Sequence, residues 1–238
     1  MDMLEKNDKS HLHKKEAVTV VIPTLNEEQN LLSIIESCKK YCSEIIVVDG
    51  HSVDNTVKIA EKAGAKIVLD HKKGKGDAIR TCISHISKEI TVFIDADGSH
   101  EPDDIPKLVQ PILEDTADHV TGSRAFGGSS ELHGGFNEFM RLVGSSIFTG
   151  FIGWKFKTKI SDSQNGFRSL KTEVLRNLDL KENITTIEQE MIIKTFKKGY
   201  RMGEVPTHEH KRKFGESHIK LRKVAFRYVY SMLKYLYF

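Results

Sequence analysis

The sequence predicts an α/β domain: a mostly parallel central sheet with helices on both faces. Three features of the chain predict it. Short, β-branched apolar runs recur at AVTVVI (17–22), EIIVV (44–48), KIVL (66–69), ITVFI (90–94) and DHVTG (118–122). Continuous apolar runs mark strands buried on both faces, as in a helix-covered parallel sheet. They alternate with segments of roughly 10–15 residues whose apolar positions recur at helical spacing, the pattern of consecutive strand–helix–strand units. Acidic and polar residues cluster directly after several strands, the edge at which open α/β sheets collect ligands.

Taken in order, residues 1–16 are polar and read as a flexible tail, and structure starts at Ala17 with a strand stopped by Pro23. A helix is predicted over Glu27–Lys40, then the strand 44–48, then a helix over Val53–Ala63 with Ser52 as its N-cap. The strand 66–69, a helix over Lys75–Ile86 and the strand 90–94 follow. The strand 118–122 delivers Ser123 and Arg124, and a loop with Gly127, Gly128, Gly134 and Gly135 leads into an apolar helix over Phe136–Ile152. The pattern weakens over 153–186; a helix over Glu188–Lys198 and a strand RMGEVP (201–206) precede a basic segment.

Composition excludes several classes. The 238 residues carry 36 Lys and Arg against 33 Asp and Glu, so the net charge of +3 gives no bulk reason to bind nucleic acid. An apolar fraction of 39 % with 29 % charged residues suits a chain that buries a real core, not a disordered one. No run reaches the roughly 18 apolar residues that cross a bilayer, and the N-terminus lacks a signal-peptide pattern, so a cytoplasmic location is expected. Cys38, Cys42 and Cys82 read as buried thiols, because no second Cys or His pair completes a zinc site. The charge is uneven: from Lys197 onward 11 Lys and Arg face 3 Asp and Glu, which leaves −5 for residues 1–196.

The strongest local signal is Asp95-Ala96-Asp97 at the end of a buried strand. Two carboxylates one residue apart can share one hard divalent cation, Mg²⁺ or Mn²⁺, leaving coordination positions open for phosphate oxygens. A turn rich in Asp and Gly is the plain alternative. An EF-hand loop is excluded, since Gly98 is fourth where Gly is needed sixth, and a dinucleotide site is excluded because the first strand runs into PTLNE without a glycine fingerprint. Asp49 and Glu27 each follow a strand and could bind a ribose or base, or cap a helix. Gly74-Lys75-Gly76 precedes a helix and could face a phosphate, without Walker spacing.

In order along the chain, VIPTLNE, IIVVDGHSVDNT, GKGDAIR, IDADGSHEPDDI, VTGSR, SDSQNGFR, TTIEQEM and EVPTHEHKRKFGES together resemble glycosyltransferase family 2, and within it the polyprenyl-phosphate glycosyltransferases such as dolichyl-phosphate mannose synthase. The resemblance implies the GT-A fold over residues 17–206. It implies a nucleotide pocket at Pro23, Leu25, Glu27, Asp49, Lys75, Asp95 and Ala96, and a divalent metal on Asp95 and Asp97, with Ser99 where some relatives place a third metal contact. It implies donor-sugar contacts at Asn165, Gly166, Arg168, Glu188 and Glu190. The acceptor phosphate would meet Arg124, Arg141, Ser145, Arg212 and Ser217, with Asp97, Arg124 and Arg212 carrying the transfer. The implied partners are a nucleotide sugar and a polyprenyl phosphate such as dolichyl phosphate. The motifs look most like archaeal members of N-glycosylation pathways that use UDP-sugars; GDP-mannose is the alternative donor, a glycan hydroxyl the alternative acceptor. DADGS also resembles the signature of haloacid-dehalogenase phosphatases, but there the motif ends the first strand and here three strands precede it. A non-catalytic lipid adaptor is a third reading, opposed by the presence of Asp95, Asp97, Arg124 and Arg212.

A lipid acceptor needs lipid contact. Residues 207–217 are polar and basic and read as a mobile loop closing over the site. Residues 218–238, rich in Tyr and Phe and interrupted by Arg227 and Lys234, read as an interfacial helix at the cytoplasmic face of the membrane, or as a helix packed on its own core or a second subunit.

Overall fold

A computed structural model describes residues 14–130, 136–212 and 221–237, with side chains throughout except at 136–143 and 221–225. β1 (Val18–Thr24) lies between β2 (Glu44–Asp49) and β4 (Ile90–Phe93) and pairs parallel with both. β3 (Lys66–Leu69) adds parallel to the outer edge of β2. Beyond β4 the sheet changes character: β6 (Arg168–Lys171) runs antiparallel to both β4 and β5 (His119–Ser123), and β7 (Met202–Pro206) closes the sheet parallel to β5. The strand order is β3-β2-β1-β4-β6-β5-β7.

The two-residue period of β1 explains the layering. Val18, Val20 and Ile22 face α1 (Leu31–Cys38), α2 (Thr56–Lys62) and α4 (Ile105–Leu113), whose Leu31, Ile35, Ala60, Leu108 and Ile112 complete one core. Val21 faces the opposite layer, where α3 (Lys75–Cys82), the short α7 (Thr172–Asn177) and the start of α8 (Ile187–Lys197) contribute Ile79, Cys82, Leu175 and Ile187. A third cluster joins α8 to α6 (Phe136–Phe156) and α9 (Leu221–Tyr237) through Ile152, Ile192, Ile193, Met232 and Leu236. α5 (Arg124–Gly127) is a single turn. All three cysteines are free and buried, and burial pushes each thiol pKa upward.

Several boundaries differ from the sequence expectation, for local reasons. α1 starts at Leu31, not Glu27, because Asn26 adopts a left-handed φ of 56° and the Glu27 amide donates to Thr56 Oγ1 at 2.8 Å. α2 starts at Thr56, and Ser52 is not its cap: its hydroxyl and amide both donate to Asp49. α4 carries Pro106 and Pro111, which hid it as a helix; Pro106 sits in the first turn, where the amide has no partner, whereas Pro111 lies inside the helix near its end. β6 has only four residues and a single large apolar side chain, too short a signal to read. Of the 207–217 loop expected to close over the site, 213–217 lie outside the described residues and 207–212 are hydrogen-bonded to neighbouring loops. The Glu209 amide donates to Gly128 O at 3.1 Å and the His210 amide to Ser99 O at 2.8 Å, so this stretch is laced between two loops.

Candidate active site

Three loops at the C-terminal ends of β1, β2 and β4 form one rim. After β1, Asn26 and Glu27 are tied to the β2 loop: the Asn26 amide donates to Ser52 Oγ at 2.8 Å and the Val53 amide to Asn26 Oδ1 at 2.9 Å. Asp49 is buried, and its carboxylate accepts from the Ser52 amide at 2.9 Å and hydroxyl at 2.5 Å. Gly50 packs closely here: a Cβ would stand 3.3 Å from Thr24 O, so a side chain would fit only if the β1 backbone gave by a few tenths of an ångström. Pro23 is half-buried and Leu25 is 45 % exposed on the β1 side of this rim, with Glu27 half-buried beside them.

The centre of the site lies after β4. Lys75 Nζ sits 2.6 Å from Asp95 Oδ1 and 2.7 Å from Glu188 Oε1. Burial disfavours the Lys75 ammonium, but Asp95 and Glu188 outweigh it and hold its pKa above the ordinary lysine range. Burial likewise works against the Asp95 carboxylate, and Lys75 outweighs it, holding that pKa low. Gly166 completes the cluster: a Cβ there would lie 2.6 Å from Lys75 Nζ and 2.8 Å from Asp95 Oδ2. Ala96 is buried between the two carboxylates in sequence. Asp97 Oδ1 accepts from the Ser99 amide at 3.0 Å, with Gly98 at φ 73° making the turn, and Asp97 Oδ2 lies 3.0 Å from an Arg212 Nη2. The Ser99 side chain is buried.

Each carboxylate of the pair is therefore drawn onto a side-chain cation. This is the negative charge and hard oxygen donor set that suits Mg²⁺ or Mn²⁺. Among the described residues no third His, Cys, Asp or Glu joins them in metal-holding geometry, so further ligands would be substrate oxygens or water.

Other predicted residues have different surroundings. The Gly74-Lys75-Gly76 loop is not an open phosphate cradle. A Cβ on Gly76 would lie 2.5 Å from Glu182 O, and the Asp77 amide donates to Asn183 O at 3.1 Å, so the glycines admit the 182–184 backbone. Of the proposed sugar contacts, Glu188 and Gly166 face Lys75. Arg168 is wholly buried: its Nη1 donates to Glu188 O at 3.0 Å and its Nε to Asn165 O at 3.1 Å, so it supports the two loops that carry Glu188 and Gly166. Asn165 is itself buried, its Oδ1 accepting from the Phe167 amide at 2.9 Å. Glu190 is also buried and turned to the 181–182 turn, accepting from the Lys181 amide at 2.8 Å and pairing with Lys194 at 2.6 Å. Arg168 and Glu190, expected at the donor sugar, are thus engaged with protein partners here, and of the i,i+2 pair on α8, whose members face two ways, Glu188 is the one that meets Lys75.

Arg124 is held bidentately by Asp162, Nε to Oδ2 at 2.6 Å and Nη2 to Oδ1 at 2.9 Å, with Glu209 Oε1 3.2 Å from Nη1. Ser145 lies half-buried on α6; the Arg141 side chain and Ser217 lie outside the described residues. Sequence reasoning missed Asp162 and Glu209, although both stand in the quoted blocks. It also missed His100, which is buried, stacks on Phe167 at a centroid distance of 5.2 Å, and has no hydrogen-bond partner at Nδ1 among the described residues. Burial lowers its pKa against the pull of Asp95 and Glu209.

Glycosyltransferase AglJ of Haloferax volcanii is 29 % identical over 194 residues, which are 81 % of this chain and 62 % of that one, so this chain spans under two thirds of its length. The UDP-N-acetylglucosamine–dolichyl-phosphate N-acetylglucosaminyltransferase of Methanococcus voltae is 29 % identical over 79 % of this chain and 84 % of its own. Among solved structures, glucosyl-3-phosphoglycerate synthase of Mycobacterium tuberculosis, in complex with Mn²⁺, UDP and phosphoglyceric acid, superposes with a TM-score of 0.71 at 22 % identity, covering 93 % of this chain and 79 % of that one. That likeness establishes the fold, the GT-A arrangement of a seven-stranded, mostly parallel sheet. The family model for glycosyl transferase family 2 matches residues 19–179, from β1 through α7 and so across the Lys75–Asp95–Asp97 centre, and the chain belongs to that family.

Proposed function

We propose that this chain is a metal-dependent, inverting glycosyltransferase that moves a hexose or N-acetylhexosamine from a UDP-sugar to dolichyl or another polyprenyl phosphate, for protein N-glycosylation. One observation carries the reading: half-buried Lys75 bridges the first carboxylate of Asp95-Ala96-Asp97 to Glu188, while Arg212 reaches the second. This joins a carboxylate pair able to hold a divalent cation, a lysine for a diphosphate, an acid for sugar hydroxyls and an arginine. The dolichyl-phosphate transferases among the relatives support the lipid acceptor, and the Mn²⁺ and UDP of the solved neighbour support the metal and donor classes.

In this reading Asp95 and Asp97 would hold the divalent ion, which neutralises the leaving diphosphate when bound. The β1 and β2 loops bind the nucleoside through Glu27 and Asp49. Lys75 serves the diphosphate and, through Glu188, fixes the acid that receives sugar hydroxyl hydrogen bonds. The acceptor phosphate is already mostly dianionic near neutral pH, since its second pKa is about 6, and needs no strong base. Arg212, a planar fork that stays charged, orients it and offsets repulsion between donor and acceptor phosphates. Arg124, already shared between two carboxylates, contributes positive charge and holds the 207–212 stretch against the cleft. Attack by the acceptor oxygen on the anomeric carbon, opposite the departing diphosphate, inverts that centre.

The test is transfer of label from a panel of UDP- and GDP-sugars to dolichyl phosphate with Mn²⁺, Mg²⁺ or EDTA. Metal-dependent label in the lipid phase is expected from a UDP-sugar and is expected to vanish in Asp97→Ala. Turnover unchanged in that variant removes the metal assignment, and label from GDP-mannose alone makes the chain a mannose synthase.

A further inference from the structure

We propose that the outer faces of α6 and α9 together form a docking surface for an anionic lipid bilayer. The proposal gives the lipid acceptor of the previous subsection its setting, but its evidence is separate from the catalytic site. α9 has two apolar stripes on opposite sides. Tyr228, Ser231, Met232, Tyr235 and Leu236 face the body and are buried or half-buried. Phe226, Val229, Tyr230, Leu233 and Tyr237, at helical spacing i, i+3, i+4, i+7 and i+11, face out, and Phe226 is 80 % exposed. The inner stripe anchors the helix: Tyr228 stacks on Phe148 of α6 at 6.1 Å, and its hydroxyl donates to Thr185 Oγ1 at 2.5 Å.

α6 repeats the arrangement. Ile152 is buried, while Ile147, Phe151 and Trp154, at i, i+4 and i+7, are exposed and with Gly150 line a shallow groove of about 360 Å³. The two outer stripes adjoin where Lys155 Nζ of α6 lies 4.6 Å over the Tyr237 ring of α9. Neighbouring exposed stripes of this size on two helices mark an interaction surface rather than scattered surface residues.

Charge identifies the occupant. From Phe139 to Ser161 the sequence has Arg141, Lys155, Lys157 and Lys159 and no acid; from Ser217 to Phe238 it has Lys220, Arg222, Lys223, Arg227 and Lys234 and again no acid. Lys155, Lys157, Lys159 and Arg227 are exposed. Long cationic side chains bordering an aromatic and aliphatic face let the rings enter the headgroup boundary while the charges meet anionic lipid. A second copy is disfavoured, because a twofold contact sets two predominantly cationic helix pairs, with Glu138 the single acid in the two helices, against each other. No helix among the described residues is long and apolar enough to cross the membrane, so the contact would lie on the surface.

Trp154 is the only tryptophan in the chain and lies on this face, so it reports contact directly. The protein is titrated with vesicles of phosphatidylcholine alone or mixed equally with phosphatidylglycerol, without nucleotide sugar or polyprenyl phosphate. Binding to the anionic vesicles is expected, with a blue shift of Trp154 emission, quenching by brominated acyl chains, and weakening at high salt. The double variant Phe226→Ser, Leu233→Ser is expected to partition at least roughly tenfold less while its circular dichroism is unchanged, since both side chains are solvent-facing. The proposal is overturned if anionic vesicles leave Trp154 emission unchanged, if the double variant binds like the wild type, or if the blue shift follows protein concentration without lipid, which would make this a contact between copies. Because no sugar transfer is read, these outcomes are independent of the catalytic assignment.

Discussion

Gly166 is the residue on which the site's ion triad closes. Its φ lies outside the left-handed region, so alanine is tolerated by the backbone, but the added Cβ would stand 2.6 Å from Lys75 Nζ, 2.8 Å from Asp95 Oδ2 and 3.3 Å from Glu188 Oε1. Gly166→Ala is therefore expected to push the Lys75 ammonium out of its bridge, lowering transfer at least roughly tenfold while shifting the unfolding midpoint by no more than about 2–4 °C. Parallel activity and thermal-melt measurements separate the two; full activity would mean that the triad is not part of the reaction. Arg212 offers the complementary test. Its guanidinium sits on Asp97 Oδ2, so a metal bound there must displace it. Arg212→Gln is expected to tighten Mn²⁺ binding by about threefold to tenfold in titration calorimetry, the range of a partly screened ion pair. Equal or weaker binding would mean that Arg212 and the metal do not compete. Much of this chemistry was legible residue by residue, because Asp95, Asp97, Lys75, Glu188 and Gly166 stand in short blocks with distinctive neighbours. Illegible were the partners that fold topology supplies from afar. Asp162 and Glu209 meet Arg124 only because β5, β6 and β7 are neighbours, and nothing in a linear motif marks that Arg168 is buried with its guanidinium on Asn165 O and Glu188 O.

Among the elements, the parallel half was readable because each strand there is an unbroken apolar run and each helix a periodic one. β6 was not, because a four-residue antiparallel strand takes its identity from β4 and β5 on either side and not from its own pattern. The same half of the sheet is held by a polar clamp. Asp118, just before β5, accepts from the Arg201 amide at 2.9 Å, Nε at 3.0 Å and Nη2 at 2.8 Å, and lies 2.9 Å from Lys171 Nζ at the end of β6. The Arg201 hydrogen bonds hold its carboxyl well below the usual carboxylate range, with burial opposing them. A carboxylate whose native pKa is depressed stabilises the fold above its unfolded pKa of about 4, and the contribution fades as pH falls from there toward the native value. Asp118→Asn is therefore expected to lower the unfolding midpoint by about 2–4 °C at neutral pH, with the gap to wild type closing on acidification. A gap that stays constant with pH would show that shape rather than charge does the holding.

Across the whole molecule, the site stands at the seam where the sheet changes direction. Asp95 and Asp97 follow β4, the last strand of the parallel half, together with Glu27 after β1 and Asp49 at the end of β2. Gly166 precedes β6, Arg124 follows β5 and Arg212 follows β7, all in the mixed half. A nucleoside diphosphate with its metal would touch both halves, so binding should be read by the stability of the entire fold and not by one loop. At a ligand concentration of about 100 times Kd, binding to the native state alone adds about 2.7 kcal/mol, which for a chain of this size raises the midpoint by roughly 5–10 °C. That shift is expected with UDP and Mn²⁺ together, a smaller one with UDP and EDTA, and none beyond the metal's own in Asp97→Ala. GDP with Mn²⁺ is the discriminating arm: a shift equal to or larger than that of UDP would transfer the donor assignment to a guanosine nucleotide while leaving the seam, and the pairing of the two half-sheets across it, as the binding site.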